Sequence, residues 1–147
     1  MTSSHTYTKM YLSLGTKKID FTADTFKVML LSAYTVGSTQ DTAQFVADVK
    51  AVATETSGSG YTAGGYTLAG KSFTESGHVY TFTNSADPSW ATSTISAAYA
   101  LFYDATPGSD ATNPVLCFWD LGGTQTTAGT TFTLALDAGG IVTLTGS

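Results

Sequence analysis

Short apolar segments, each closed by a turn signal bearing Gly, Pro or Asp, run through most of this chain, and nowhere do they alternate with long amphipathic helices. That pattern excludes βαβ units and a parallel sheet, and it points to strands joined by turns. Residues 26–31 form a compact apolar run flanked by turn residues, as expected of a buried strand. Weaker strands are expected over residues 52–56 and 66–71. Residues 71–75 and 78–84 read as a hairpin across Ser76-Gly77, with Tyr80 and Phe82 inward and Val79, Thr81 and Thr83 outward. Residues 97–103 and 114–121 are apolar on both faces and therefore central, with Gly122-Gly123 closing the second. Residues 131–136 alternate with Phe132, Leu134 and Leu136 inward, and Asp137-Ala138-Gly139-Gly140 turns the chain back into residues 141–145 as a last hairpin. The expected fold is mainly β: an antiparallel β-sandwich or barrel-like fold of about eight or nine strands with one or two short helices.

The helices are few. Tyr7, Met10, Tyr11 and Leu14 make one apolar stripe, with Thr6 as N-cap and Gly15 as stop. The rival arrangement is a strand with Met10, Leu12 and Leu14 on one face, and the helical spacing is preferred. A second helix is expected over residues 42–50, opened by an Asp41/Gln44 capping box and carrying Phe45, Val46 and Val49. Residues 57–65, rich in Gly and Ser, form a loop rather than a linker. The chain is expected to be one domain over residues 1–147, with residues 1–5 as a flexible or partner-ordered arm.

Composition narrows the function classes. Charged residues make up 12% of the chain, while Thr and Ser together fill roughly 30%, a strong departure from ordinary usage. Hydroxyl surfaces are cheaper to desolvate than charged ones, which suits packing against neighbouring subunits. The net charge is −5 and all six basic residues are lysine. Without the Arg fork or a basic footprint, nucleic-acid binding is not expected. No apolar run approaches the ~20 residues of a membrane helix, and the start has no signal-peptide pattern. One cysteine, Cys117, cannot form an internal disulfide.

The chemistry-bearing residues are sparse, and no catalytic, cofactor or metal site is expected. His5 lies in the arm and His78 beside a hairpin turn, and neither has a nucleophile within an evident motif. Cys117, between Leu116 and Phe118, reads as a small core residue. Residues 104–110 carry two carboxylates, but their spacing matches no standard calcium loop. Asp104, Asp120 and Asp137 sit at strand ends, where a glycosidase-like pair would need two of them to face each other. Tyr61 and Tyr66 bracket Gly64-Gly65 as a sugar platform, an interface anchor or ordinary packing beneath the loop.

Three stretches carry a resemblance. Residues 20–42 contain Asp24-Thr25-Phe26-Lys27-Val28-Met29-Leu30-Leu31. Residues 58–65 read Gly-Ser-Gly-Tyr-Thr-Ala-Gly-Gly. Residues 99–141 run from Tyr99-Ala100-Leu101-Phe102-Tyr103-Asp104 to Asp137-Ala138-Gly139-Gly140-Ile141. In order and spacing they resemble small structural proteins, head-decoration or tail-associated, of tailed bacteriophages. The bulky Cys117-Phe118-Trp119 segment departs from that pattern. The resemblance implies a virion location after assembly in the host bacterial cytoplasm and no enzyme, without fixing the part of the particle; a capsid decoration or cement role is the first expectation. The alternatives are a head-fibre, neck or tail component, and less favourably a carbohydrate-binding adhesin. The expected partners are the major capsid protein or another virion protein and further copies of the chain, a homo-oligomeric trimer being favoured. Met1, Thr2, Ser3, Ser4, His5, Tyr61 and Tyr66 are the candidate contact residues.

Overall fold

A computed structural model describes residues 3–146. In chain order the elements are β1 (Ser3–Thr6), α1 (Thr8–Gly15), β2 (Phe26–Tyr34), α2 (Thr39–Thr42), α3 (Val46–Lys50), β3 (Ala53–Glu55), β4 (Tyr66–Thr67), β5 (Lys71–Ser76), β6 (Val79–Asn84), β7 (Ser89–Ser93), β8 (Ser96–Asp104), β9 (Val115–Thr126), β10 (Thr130–Thr133) and β11 (Val142–Thr145). Every ladder is antiparallel. The main sheet has the order β1-β9-β8-β2-β3, with β4 also pairing β2. Two smaller sheets, β10-β7 and β11-β6-β5, complete the β structure. The protein is thus mainly β and sandwich-like, as the turn-punctuated pattern predicts.

The main sheet is buried on both faces at its centre, along β2, β8 and the first half of β9. Along β2, Phe26, Val28 and Leu30 enter one apolar cluster, and Met29 and Leu31 enter the other. On β8, Ala100 and Phe102 go one way while Leu101 and Tyr103 go the other. The larger cluster is closed by Phe82 from β6, Trp90 from β7, Phe132 from β10 and Val142 from β11, so the small sheets share one core with the main sheet. The opposite face is covered by Ala43 and by Val46 and Val49 of α3. This two-sided burial is what the apolar-on-both-faces segments of β8 and β9 encode.

Several expectations require correction. The described residues hold eleven strands and three short helices, because short pairings such as β1 and β4 carry little periodic signal. Ser3, Ser4 and His5, expected in a flexible or partner-ordered arm, form β1 against Asp120, Trp119 and Phe118 of β9 in the same chain. Met1 and Thr2 lie outside the described residues. The helix expected over residues 42–50 is only α3, Val46–Lys50, which starts late because Asp48 Oδ2 accepts the backbone N–H groups of Phe45 and Gln44 at 2.9 and 3.0 Å and so caps it; α2 lies before it. Asp41 instead accepts the Thr8 hydroxyl at 2.7 Å. Gly122-Gly123 does not end β9, which continues past a register shift to pair Gln125 with Ala97. The last two strands do not form a hairpin: β10 pairs β7 and β11 pairs β6. Tyr80 shares its face with Phe82 as expected but is 41% exposed, because the β5–β6 hairpin overhangs the core. The hairpin turn falls one residue later, at Gly77-His78, both with positive φ (57° and 69°) as a type I′ turn requires.

The end of α1 also moves. Lys18 N–H donates to Ser13 C=O and Lys17 N–H to Leu14 C=O, which is the Schellman pair. The left-handed residue is therefore Lys17, at φ 59°, and not Gly15, which stays helical. Glycine is required at Gly65, where φ is 81° and an added Cβ would lie 2.0 Å from the Val28 carbonyl oxygen. These two positions predict opposite effects. Lys17→Gly should raise unfolding stability by about 1 kcal/mol by removing the left-handed penalty. Gly65→Ala should lower it by roughly 2 kcal/mol or more. Urea denaturation of both variants checks the signs.

Candidate functional site

The loop over residues 57–65 is held down from below. The Tyr61 hydroxyl donates to Glu55 Oε1 at 3.0 Å and accepts the Leu30 N–H at 3.1 Å. Gly64 N–H donates to the same Glu55 oxygen at 2.6 Å, and the Tyr103 hydroxyl donates to the Gly64 carbonyl at 2.7 Å. Lys50 completes the network, at 3.1 Å from Glu55 Oε2 and 2.9 Å from Asp110. Its hydrogen bond to Asp110 is the main cause of a raised ammonium pKa, followed by an opposing effect of burial. Burial likewise raises the Tyr61 and Tyr103 phenols above their ordinary range, so both stay protonated donors.

The rings are committed too. Tyr61 stacks on Trp90 with centroids 6.0 Å apart, and Tyr66 meets Trp90 edge-on at 5.8 Å. Of the three roles open to this pair in the sequence, the geometry supports packing beneath the loop. Trp90 covers one face of Tyr61 and meets Tyr66 edge-on, which joins both rings to the packing around Trp90. Both tyrosines remain half-exposed.

At the N-terminal end, Ser3 Oγ and His5 Nε2 are 3.2 Å apart, and the His5 ring stacks on Phe118 at 4.9 Å. This Ser–His contact arises because residues i and i+2 share a face of a strand. No carboxylate orients the imidazole among the described residues, so the arrangement lacks the third member of a nucleophilic triad. Gln40 Nε2 donates to the Thr6 carbonyl at 3.3 Å. The nominated residues Ser3–His5 and Tyr61/Tyr66 thus lie on different elements, β1 and the 57–65 loop with β4, and the structure does not join them into one site.

The strand-end acids Asp104 and Asp120 stand apart. Asp120 stands opposite Tyr99 on β8, five residues from Asp104, a separation of roughly 16 Å at ~3.3 Å per residue. That exceeds the spacing of either glycosidase geometry. Asp110 is paired with Lys50, and among the described residues no group of three or more potential ligands could hold a metal ion.

Asp104 stands out for a buried environment that the linear pattern does not signal. Asp104 is fully buried, its Oδ1 accepts the Thr106 N–H at 2.9 Å, and its Oδ2 has no ordinary partner. Burial pushes its pKa up to about 7, and the neighbouring Asp24 carboxyl adds to the shift. A protonated Asp104 resolves the orphan oxygen, since an O–H can donate toward Asp24 where a carboxylate could only repel it. The signal is invisible in sequence because Asp24 and Asp104 meet only through the Phe26–Asp104 register of β2 and β8.

Cys117 is fully buried, with its Sγ 3.6 Å from the Ile141 carbonyl oxygen, and burial raises its thiol pKa far above the ordinary value. It is a core thiol with no thiolate character. The fold and these contacts define the class of protein only as a multi-sheet antiparallel β domain. Comparison with protein-family models, curated proteins and solved structures yields no match.

These buried groups make two predictions. With a folded pKa of about 7 against an ordinary value near 3.9, Asp104 keeps a proton that the unfolded chain releases. Its contribution therefore falls as pH rises between those values and is flat on either side. The melting-temperature gain of Asp104→Asn over the parent should grow from pH 4 to pH 7 and then level off. A constant difference would contradict the buried acid. Cys117→Ser should cost about 1–3 kcal/mol, and the native thiol should label only at the rate of unfolding.

Proposed function

We propose that this chain is a non-enzymatic structural protein of a tailed-phage virion, most simply a decoration protein that braces the head shell by binding the major capsid protein. The resemblance over residues 20–42, 58–65 and 99–141 suggests the class. The structural observation that supports it is the open edge of β1. Tyr7 N–H donates to Leu116 C=O, so by antiparallel alternation the odd residues of β1 bond β9 while Ser4 and Thr6 turn their backbone groups away from it. Gln40 satisfies the Thr6 carbonyl. The N–H and C=O of Ser4 and the N–H of Thr6 remain directed outward. Natural edges are ordinarily blunted by Lys, Pro or bulges, and Ser3-Ser4-His5-Thr6 has none of these.

Such an edge binds by adding a strand from a neighbour, with main-chain hydrogen bonds supplying the affinity. The surrounding surface is poor in charge, so attachment rests on hydroxyl contacts, strand pairing and apolar burial rather than on ion pairs. These are little affected by salt, whereas exposed ion pairs are screened.

The test is mass spectrometry and cryo-electron microscopy of the particle produced with this protein. Hundreds of copies on the shell are expected; six, twelve or a few tens would place it in the neck, tail or fibres, and absence from the particle would overturn the proposal. The protein should stay bound in about 1 M salt, where the Debye length is ~3 Å. Ser4→Pro removes an outward N–H without touching the β1–β9 hydrogen bonds, and it should weaken particle binding at least tenfold (about 1.4 kcal/mol) with little change in melting temperature. Release by salt alone, or full binding by the Ser4→Pro protein, would count against strand addition.

A further inference from the structure

A second surface lies at the other end of the small β11-β6-β5 sheet. Tyr80 is directly opposite Glu75 on β5 and Leu144 on β11, so these three side chains share one face. One step nearer the core, Phe73, Phe82 and Val142 occupy the same face. Phe82 and Val142 are buried, while Tyr80 overhangs, stacked on Phe73 at 6.1 Å. Phe73 and Leu144, the neighbours of Tyr80 on this face, line an open groove of about 500 Å³ together with Leu14, Ile19 and Phe21. Tyr80 is 41% exposed, one of the five large apolar residues most open to solvent among those described.

The rim carries opposite charges at separate elements. Lys17 lines the groove from the end of α1. Both ion pairs among the described residues belong to Lys50, so Lys17 is unpaired. Asp20, also at the groove, spends its Oδ1 on the Thr22 and Ala23 N–H groups and the Thr22 hydroxyl. Glu75 sits on the overhang, with one oxygen on the His78 N–H at 2.9 Å. A projecting aromatic with a carboxylate and an apolar groove with an ammonium thus belong to one patch.

We infer that this patch is a self-complementary interface for a second copy of the chain, Tyr80 of each copy entering the groove of the other and Glu75 of each meeting Lys17 of the other. A patch that holds both the projection and its receptor closes by a twofold axis, because residue i meets j and j meets i. The Tyr80 ring supplies an aromatic anchor in a desolvated groove, the arrangement that dominates interface energetics. The left-handed backbone of Lys17, at φ 59°, fits this role: glycine would suit the turn better, but only a side chain brings a cation to the rim. The unit is a pair in place of the threefold assembly expected from composition, and it does not depend on a virion location.

Sedimentation equilibrium of the full chain provides the test. The parent should form dimers. Lys17→Glu and Glu75→Lys should each weaken association at least tenfold, and the double swap Lys17→Glu/Glu75→Lys should restore most of it. Tyr80→Ser should dissociate the dimer while leaving the melting temperature of the monomer nearly unchanged. A parent that stays monomeric at the highest soluble concentration would overturn the inference, even if the patch is later found covered by a different protein on a particle. So would dimers insensitive to all three single changes, or a charge swap that rescues nothing.

Discussion

Strands β2, β8 and β9 send apolar side chains to both sides, and the remaining architecture is arranged to cover them. A sheet with two apolar faces needs two lids. On one side the lid is a pair of small sheets that contribute Phe82, Trp90, Phe132 and Val142. On the other it is α3 and the segment before it, with Val46, Val49 and Ala43. At ~25 cal/mol per Å² of apolar surface removed from water, the bulky aromatic side chains of the first lid stabilise the fold more than the small aliphatic ones of the second. This explains why the small sheets hold their places with few strands each: their stability comes from the core they cap more than from their ladders.

What the sequence reveals follows from range. β2, the β5–β6 hairpin, the burial of Cys117 and the central position of β8 and β9 are encoded by neighbours a few residues apart, and all are recovered. The partners of β10 and β11 are not, because a turn-like Asp137-Ala138-Gly139-Gly140 between two apolar runs gives a hairpin signal locally, while the pairing is decided by which small sheet each strand caps. Likewise Gly15 looks like the stop of α1, yet the Schellman bonds fall two residues on, at a lysine that no propensity would choose.

The candidate contact residues divide in the same way. Tyr61 and Tyr66 stand out in sequence because they flank glycines, but Glu55 and Leu30 claim the Tyr61 hydroxyl and Trp90 packs against both rings. Each of those partners is distant enough in sequence, or silent enough in pattern, to escape a linear reading. The Ser3–His5 stretch is the reverse case, a polar tail by composition that becomes ordered because β9 offers it a ladder.

That ladder joins Ser3 to Asp120, so the first strand has no seat until most of the polypeptide exists. During synthesis, α1 and β2 leave the ribosome well before β8 and β9, and the apolar faces of β2 wait without their neighbours. Loop closure over such spans is entropically slow. Folding of the main sheet therefore waits for β9 to emerge. In that interval the scarcity of charge, which serves the finished surface, leaves the nascent chain with little electrostatic protection against its own kind.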